Sequence, residues 1–409
     1  MDPTKIALLN EAFFPSAPIT SNSLFAGRID QIQRTCDAIN ERGQHFAVYG
    51  DRGVGKTSLA NILDSRLTNV VVSKVTCNRD ENFKLIWEKA LSKIRFQQRK
   101  DGIGYVPAKL VDDIQLDLFL PARDRIDAID IQNVLENVKA NLLFLFDEFD
   151  SIVGKDVQAA FADTIKALSD NAPQVTIGVV GIAEDVDGLI GRHPSLERCL
   201  KQIEMPRMSR MELHTIIDNG MRILTMQMNT AVSAQIVDFS SGFPHFTHLL
   251  GKFSAKRAIE RGSSVVEQAD LTGAIKDSIE NANQSIKTIY RKAILSSHPQ
   301  SKFENVVAAC ALVDTDDAST FAARDLIAPY KQVCGVEIVP QDLTYTLQKL
   351  CEKDRGHVLQ RVTSVSGVRY KFSNALMKTY VKLRISQHGS FHAPMLIEET
   401  EDERRPKKS

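Results

Sequence analysis

The stretch HFAVYGDRGVGKTSL, residues 45–59, is an apolar run, then a glycine-rich loop, then the start of a helix. From Gly50 to Thr57 it fills the pattern G-x-x-x-x-G-K-[ST] without a gap. Gly50, Gly53 and Gly55 let the backbone turn tightly, so that successive N–H groups, with those of Asp51, Arg52 and Val54, converge on one point. A helix that begins near Lys56 adds its positive end, and Ser58, to the same place. Such a cradle suits a polyphosphate. Lys56 is spaced to reach the β- and γ-phosphates, and the Thr57 hydroxyl to ligate Mg²⁺. A glycine-rich turn that merely joins strand to helix does not require all of these positions at once.

About ninety residues on, Asn141-Leu-Leu-Phe-Leu-Phe-Asp147-Glu148-Phe-Asp150 runs five apolar residues into carboxylates. This pattern predicts a strand buried on both faces of a parallel sheet, opening at its C-terminal end into a site. Asp147 is the expected Mg²⁺ ligand. Glu148 is the expected base that orients and deprotonates a water.

Composition sets the frame. The chain has 409 residues, enough for two or three domains, with 43% hydrophobic and 25% charged residues. Lys and Arg number 51, as do Asp and Glu, so no whole-molecule field argues for nucleic acid or a membrane. Six scattered cysteines without a C-x-x-C pair argue against a zinc ribbon or a disulfide framework. No signal peptide pattern and no membrane-length apolar run is present, so the expected location is the cytoplasm.

Along the chain, residues 1–25 read as an irregular arm that packs through Phe13-Phe14. Ile29, Ile32 and Cys36 recur at helical spacing. Val70–Val75, Val175–Gly181 and Gln202–Met205 read as further strands, and Asn82–Ile94, Asp130–Lys139 and Asp156–Leu168 as helices. Residues 97–129 read as an insertion with weak internal structure. Alternating strands and helices predict a three-layer α/β fold with a parallel sheet over 26–208. A helical subdomain follows over 209–296. Helices and a two-strand ribbon (Val358–Val362, Val368–Phe372) over 297–386 predict a winged-helix-like domain, and 387–409 a disordered charged tail.

The ordered set resembles AAA+ ATPases, in the branch that holds origin-recognition and initiator ATPases and the STAND signalling ATPases. Its carriers are Phe25-x-Gly27-Arg28, Gly50–Thr57, Phe146-Asp147-Glu148, Gly181-Ile-Ala-Glu184, Arg198 before Met205-Pro206, and Gly242-Phe-Pro244. The resemblance implies ATP with Mg²⁺ as ligands and an adenine pocket lined by Phe25, Gly27, Arg28 and Ile29. It also implies an arginine finger, Arg198 or alternatively Arg192, acting on the ATP of a neighbouring subunit, and hence self-association. Two positions depart from the family pattern. An acid, Glu184 or Asp185, stands where a neutral polar sensor is usual, and His245 stands where the lid usually carries Arg. Both imply slow turnover, a switch rather than a motor. His245 and His248 at i, i+3 read either as phosphate-side ligands or as lid packing. No N-K-x-D motif follows the loop, which favours ATP over GTP.

Between Lys353 and Arg384 stand eight Lys/Arg and one acid, Asp354. With Thr344, Tyr345, Gln348 and Lys349 on the preceding helix, this face fits double-stranded DNA; contact with a protein is the other reading. Two functions therefore stand side by side: an ATP-hydrolysing switch that engages DNA, and a signalling ATPase whose assembly recruits a protein effector. A nucleotide kinase fits less well, because Glu148 beside Asp147 suits water activation.

Overall fold

The structure is a computed structural model that describes residues 3–15, 27–100, 109–183, 185–191, 194–282, 284–295, 302–316, 319–364 and 367–387. The chain divides into two compact units, 1–270 and 271–409. Residues 271–296, read from the sequence as the end of the helical subdomain, thus group with the C-terminal unit.

In the first unit, α1 (Pro3–Ala12) and α2 (Ile29–Asn40) precede β1 (His45–Tyr49) and α3 (Lys56–Arg66). Then come β2 (Val71–Thr76), α4 (Phe83–Leu91), a hairpin of β3 (Arg95–Lys100) and β4 (Lys109–Gln115), α5 (Ala128–Leu135), β5 (Leu142–Asp147) and α6 (Lys155–Asn171). β6 (Val175–Val180), α7 (Asp187–Ile190) and β7 (Leu200–Glu204) complete the core. The helical part contains α8 (Arg210–Leu224), β8 (Gln227–Met228), α9 (Thr230–Ser240), α10 (Pro244–Glu260) and β9 (Val265–Val266).

The central sheet is parallel, in the order β2-β5-β6-β1-β7. β5 and β6 are buried at every position, as interior parallel strands must be when helices cover both faces. On one face Trp87 of α4 is the hub. Its ring lies 5.2 Å from both Phe144 and Phe146, and Phe161 of α6 lies 4.8 Å from Phe146. Side chains alternate across a strand. Packing Phe144 and Phe146 against Trp87 therefore turns Leu143, Leu145 and Asp147 to the opposite face, where α3 packs. This alternation aims Asp147 at the phosphate loop.

Four expectations change. Residues 1–25 are not irregular throughout: residues 3–12 form a helix, α1, that packs on α8 and α10, with Leu9, Ala12 and, just past its end, Phe13 buried. Ile29 does not belong to the core face of α2. It is 80% exposed, while Ile32, Thr35 and Ala38 are buried. Residues 97–129 hold the antiparallel hairpin β3–β4 with a bulge between Gln97 and Gln98, then a 3-10 turn, Leu116–Phe119. The capping box of Asp127 and Asp130 starts α5 two residues earlier than expected.

The second unit takes up α11 (Gln268–Glu280) from its fourth residue and adds α12 (Gln284–Ile294). α13 (Phe303–Leu312), α14 (Ile327–Cys334) and α15 (Pro340–Leu350) follow, then β10 (Leu359–Ser364) paired antiparallel with β11 (Gly367–Phe372), and α16 (Ala375–Gln387). Phe321 bridges Tyr370 through both backbone hydrogen bonds, 2.9 and 2.8 Å, and so adds a third strand position to the hairpin. Three helices, a ribbon and that bridge make the winged-helix-like arrangement expected from the sequence. All six cysteines are unpaired.

Phe13 is the pin that holds α1. It is fully buried, and a Cβ on Gly220 of α8 or Gly251 of α10 would come within 2.3 or 2.6 Å of its ring. Two glycines thus form the hole that one phenylalanine fills. Phe13→Ala is expected to cost about 3–5 kcal/mol, read from urea unfolding. A loss below about 1 kcal/mol would show that α1 is not part of the cooperative core.

Candidate functional site

The loop between β1 and α3 is built from residues that other side chains avoid. Gly50, Gly53 and Gly55 have φ of 145°, 85° and 98°. A Cβ on Gly50 would lie 2.4 Å from the Met205 carbonyl. Gly55 is the N-cap of α3 and supplies no side-chain cap, so the helix N-terminus keeps its N–H groups for another partner.

Lys56 is only 8% exposed and donates to the carbonyls of Gly50 (2.9 Å) and Asp51 (2.8 Å). Burial lowers its pKa to about 8, partly offset by Asp150, Asp51 and Asp147. The Thr57 hydroxyl lies 3.3 Å from Asp147 Oδ1, which also accepts from the Glu148 N–H at 3.0 Å. Glu148 is exposed and sits in the left-handed region at φ 55°, a conformation that costs a non-glycine residue energy. It opens a 3-10 turn, Phe149–Ser151, and Asp150 in that turn accepts from the Ile182 N–H at 2.8 Å. That bond ties the ends of β5 and β6 together.

These groups line one cleft of about 480 Å³ in the first unit. Its wall includes Arg28, Arg52 to Ser58, Asp147, Glu148, Asp150, Gly181, Met208, Ile216, His245 and His248, with Phe14 and Pro15 from the N-terminal segment.

Arg28 is 3% exposed and has φ 59°. Its guanidinium donates to the Val54 carbonyl at 3.1 Å and to the Pro206 carbonyl, and its backbone N–H donates to Glu212 Oε1 at 2.8 Å. Phosphate loop, core end and α8 are joined through one residue. Gly27 fits because a Cβ there would lie 2.3 Å from Glu212. Arg207 makes a parallel link, pairing with Asp51 at 3.2 Å and lying over the Phe243 ring at 4.7 Å.

His245 Nδ1 lies 2.5 Å from the Pro15 carbonyl, and burial lowers its pKa. His248 Nδ1 accepts from the Phe14 N–H at 3.3 Å. Burial, and then neighbouring His245, pull the His248 pKa down to about 4. Both histidines hold the N-terminal segment on α10, and both also line the cleft.

Several expected residues lie elsewhere. Phe25, Glu184 and Arg192 fall outside the described residues. Asp185 caps the α7 turn by accepting from the Gly188 N–H at 2.8 Å and does not line the cleft. Ile29 is exposed and does not line it either. Arg198 is exposed, pairs with Asp170 at 2.7 Å and is absent from this chain's own cleft.

A Mg²⁺ ion fits the oxygen donors present. Thr57 and Asp147 offer hard oxygens side by side, and Mg²⁺ is typically held by one or two carboxylates together with substrate phosphates. Among the described residues no group of three or more His, Cys, Asp and Glu forms a self-sufficient metal cage.

The family model for Novel STAND NTPase 1 matches residues 19–320. The chain belongs to the Novel STAND NTPase 1 family. No curated protein matches the chain. Among solved structures, a Walker-type ATPase of Pyrococcus abyssi is similar at 15% identity, covering 90% of this chain and 99% of that one, with a TM-score of 0.51. The ORC2 protein of Aeropyrum pernix matches at 14% identity, 94% and 97% coverage and a TM-score of 0.49. Cdc6p from Pyrobaculum aerophilum matches at 14%, with 92% and 98% coverage and a TM-score of 0.45. At such identities a structural likeness speaks to fold alone. The family and the phosphate loop on its parallel sheet together make this chain a STAND-type P-loop NTPase.

In the C-terminal unit of this STAND NTPase, the basic stretch is not the open face expected. Arg369 pairs with Asp316 at 3.1 Å and donates to the Thr320 carbonyl at 3.0 Å. Buried Lys378 donates to the Val313 carbonyl at 2.9 Å, and Arg355 lies 3.8 Å over the Phe303 ring. Arg384 lies over Tyr290. These four cations stitch the winged helix together. Arg361 stays exposed, as do Thr344, Tyr345 and Gln348 along α15.

The histidine environment predicts acid sensitivity. His248 titrates near 6.5 in the unfolded chain and about 4 when folded. Between those values unfolding takes up a proton, so stability falls as pH drops through that window. The full effect is on the order of 3 kcal/mol. Urea unfolding from pH 7 to pH 4 should show this slope, and His248→Gln should flatten it; an unchanged slope would assign it elsewhere, His45 being the next candidate with the same depression to about 4.

Proposed function

We propose that this chain is an ATP-binding and slowly hydrolysing AAA+ switch that assembles with copies of itself. One observation carries the reading: the Thr57 hydroxyl and the buried Asp147 carboxylate meet at 3.3 Å beside the lysine of a complete phosphate loop. Bound Mg²⁺ would supply charge neutralisation for the phosphates, held by Thr57 and Asp147. The loop amides and the α3 N-terminus cradle the phosphate chain. Lys56 turns from loop carbonyls to phosphate oxygens, and Glu148, at the rim of the cleft, takes the proton of an attacking water. The base sits toward Arg28, Met208, Ile216 and the N-terminal segment. The missing N-K-x-D motif favours ATP.

Two features support slow turnover. The α10 residue at the lid's usual arginine position is His245, whose pKa burial lowers. Arg198, the candidate finger, comes from a neighbouring copy, so hydrolysis waits on assembly. Lys56→Ala should weaken ATP uptake at least about tenfold in calorimetry. Glu148→Gln should keep uptake and lower hydrolysis by about 100-fold or more. Arg198→Ala should likewise spare binding. A fall in ATP affinity with either of the last two would make that residue a structural one.

The winged-helix-like unit is the proposed DNA-binding part, favoured by Tyr345, Thr344 and Gln348 exposed on one side of α15 with Arg361 on the ribbon. Because Arg369 is structural, the informative variants are Arg361→Glu and Tyr345→Ala. Each should weaken duplex binding about tenfold, and wild-type affinity should drop steeply from 50 to 200 mM salt. Unchanged affinity in both variants would move this face to a protein partner.

A further inference from the structure

We propose that Lys74 is a built-in counter-ion of Asp147 that weakens the grip of the site on a divalent cation. The proposal rests on the nucleotide and metal reading given above.

The geometry starts from strand register. β2 pairs in parallel with β5, with Lys74 opposite Leu145 and Thr76 opposite Asp147. Leu145 and Asp147 share a face of the sheet, the one on which α3 packs, and registered neighbours on adjacent strands share faces too. Lys74 therefore rises on the α3 side, two residues short of the carboxylate, a distance of about 7 Å along the strand that its four-carbon stem can bridge. Its ammonium ends 3.1 Å from Asp147 Oδ2 and 2.6 Å from Asn61 Oδ1 on α3.

The two carboxylate oxygens are thereby divided. Oδ1 takes the Thr57 hydroxyl and the Glu148 N–H. Oδ2 takes Lys74. The carboxylate is 4% exposed and the lysine side chain 25%, so water screens the pair poorly. A divalent ion held by Thr57 and Asp147 would share the carboxylate with the full positive charge that sits on Oδ2. That charge offsets the carboxylate's attraction for the ion, and it repels the ion directly. Asn61 holds the ammonium in place, so moving it aside breaks a second bond.

The pair has a second consequence. A buried carboxylate without a cation is costly. Lys74 supplies that cation, which lets the site release its metal without destabilising the strand end. This property suits a switch that must empty and refill.

The test measures Mn²⁺ uptake by electron paramagnetic resonance of the free ion, with the full chain and a saturating non-hydrolysable ATP analogue. Lys74→Met should bind Mn²⁺ about tenfold tighter than the unaltered chain, and Lys74→Arg should match the unaltered chain. In thermal unfolding, Lys74→Met should melt lower without metal and gain more from saturating Mn²⁺. Equal or weaker Mn²⁺ affinity in Lys74→Met overturns the proposal and leaves Lys74 as a structural ion pair. Lys74→Gln, which keeps a polar partner for Asn61, carries the same expectation should the methionine variant not fold. If the unaltered chain takes up neither nucleotide nor Mn²⁺, the nucleotide reading fails and this one with it.

Discussion

One nearly dry carboxylate organises this molecule. Asp147 ends an interior strand whose other side chains are apolar, and it survives there because every one of its oxygens has a partner. Thr57 comes from the helix behind the phosphate loop, Lys74 from the neighbouring strand and an N–H from the next residue in the chain. An unpaired charge at that depth would be prohibitive. The packing on the opposite face is what delivers it there. Trp87, Phe144, Phe146 and Phe161 interlock as edge and face contacts, and the two-residue period of the strand does the rest.

The cleft is closed from the other direction by a relay of backbone contacts. Arg28 joins the loop at Val54, the core exit at Pro206 and α8 through Glu212. Phe13 locks the first helix between two glycines, and the histidines of α10 hold the next two residues over the cleft. Phosphate loop, helical part and N-terminal segment are thus mechanically connected around the ligand site. A change at the phosphates has a short route to the lid helices, through Arg28 and through the Asp51–Arg207 pair.

In the C-terminal unit, charge and function separate. A run of cations that looks like a nucleic-acid face on paper spends about half its members on carbonyls, a carboxylate and aromatic rings of its own domain. The side chains left exposed are those of α15 and Arg361, with the Tyr345 ring the most prominent. Density of Lys and Arg in a sequence measures positive charge, and the partners decide how much of that charge is offered to another molecule.

The sequence by itself determined the parts whose meaning is local. A phosphate loop needs its glycines and lysine at set spacing, a buried strand needs an unbroken apolar run, and a helix needs its period, so these were legible from a few consecutive residues. Tertiary structure alone decided the rest. That α1 is a pinned helix, that Arg28 is a buried tie, that Arg369 and Lys378 are structural and that Lys74 neutralises Asp147 all depend on pairs of segments meeting in space. Pro206 and Glu212, which bond Arg28, and Phe14, which bonds His248, stand more than 170 residues away from them in the chain. A polar side chain carries no mark in sequence of which distant group will satisfy it; only the packed sheet and helices bring that group within a hydrogen bond.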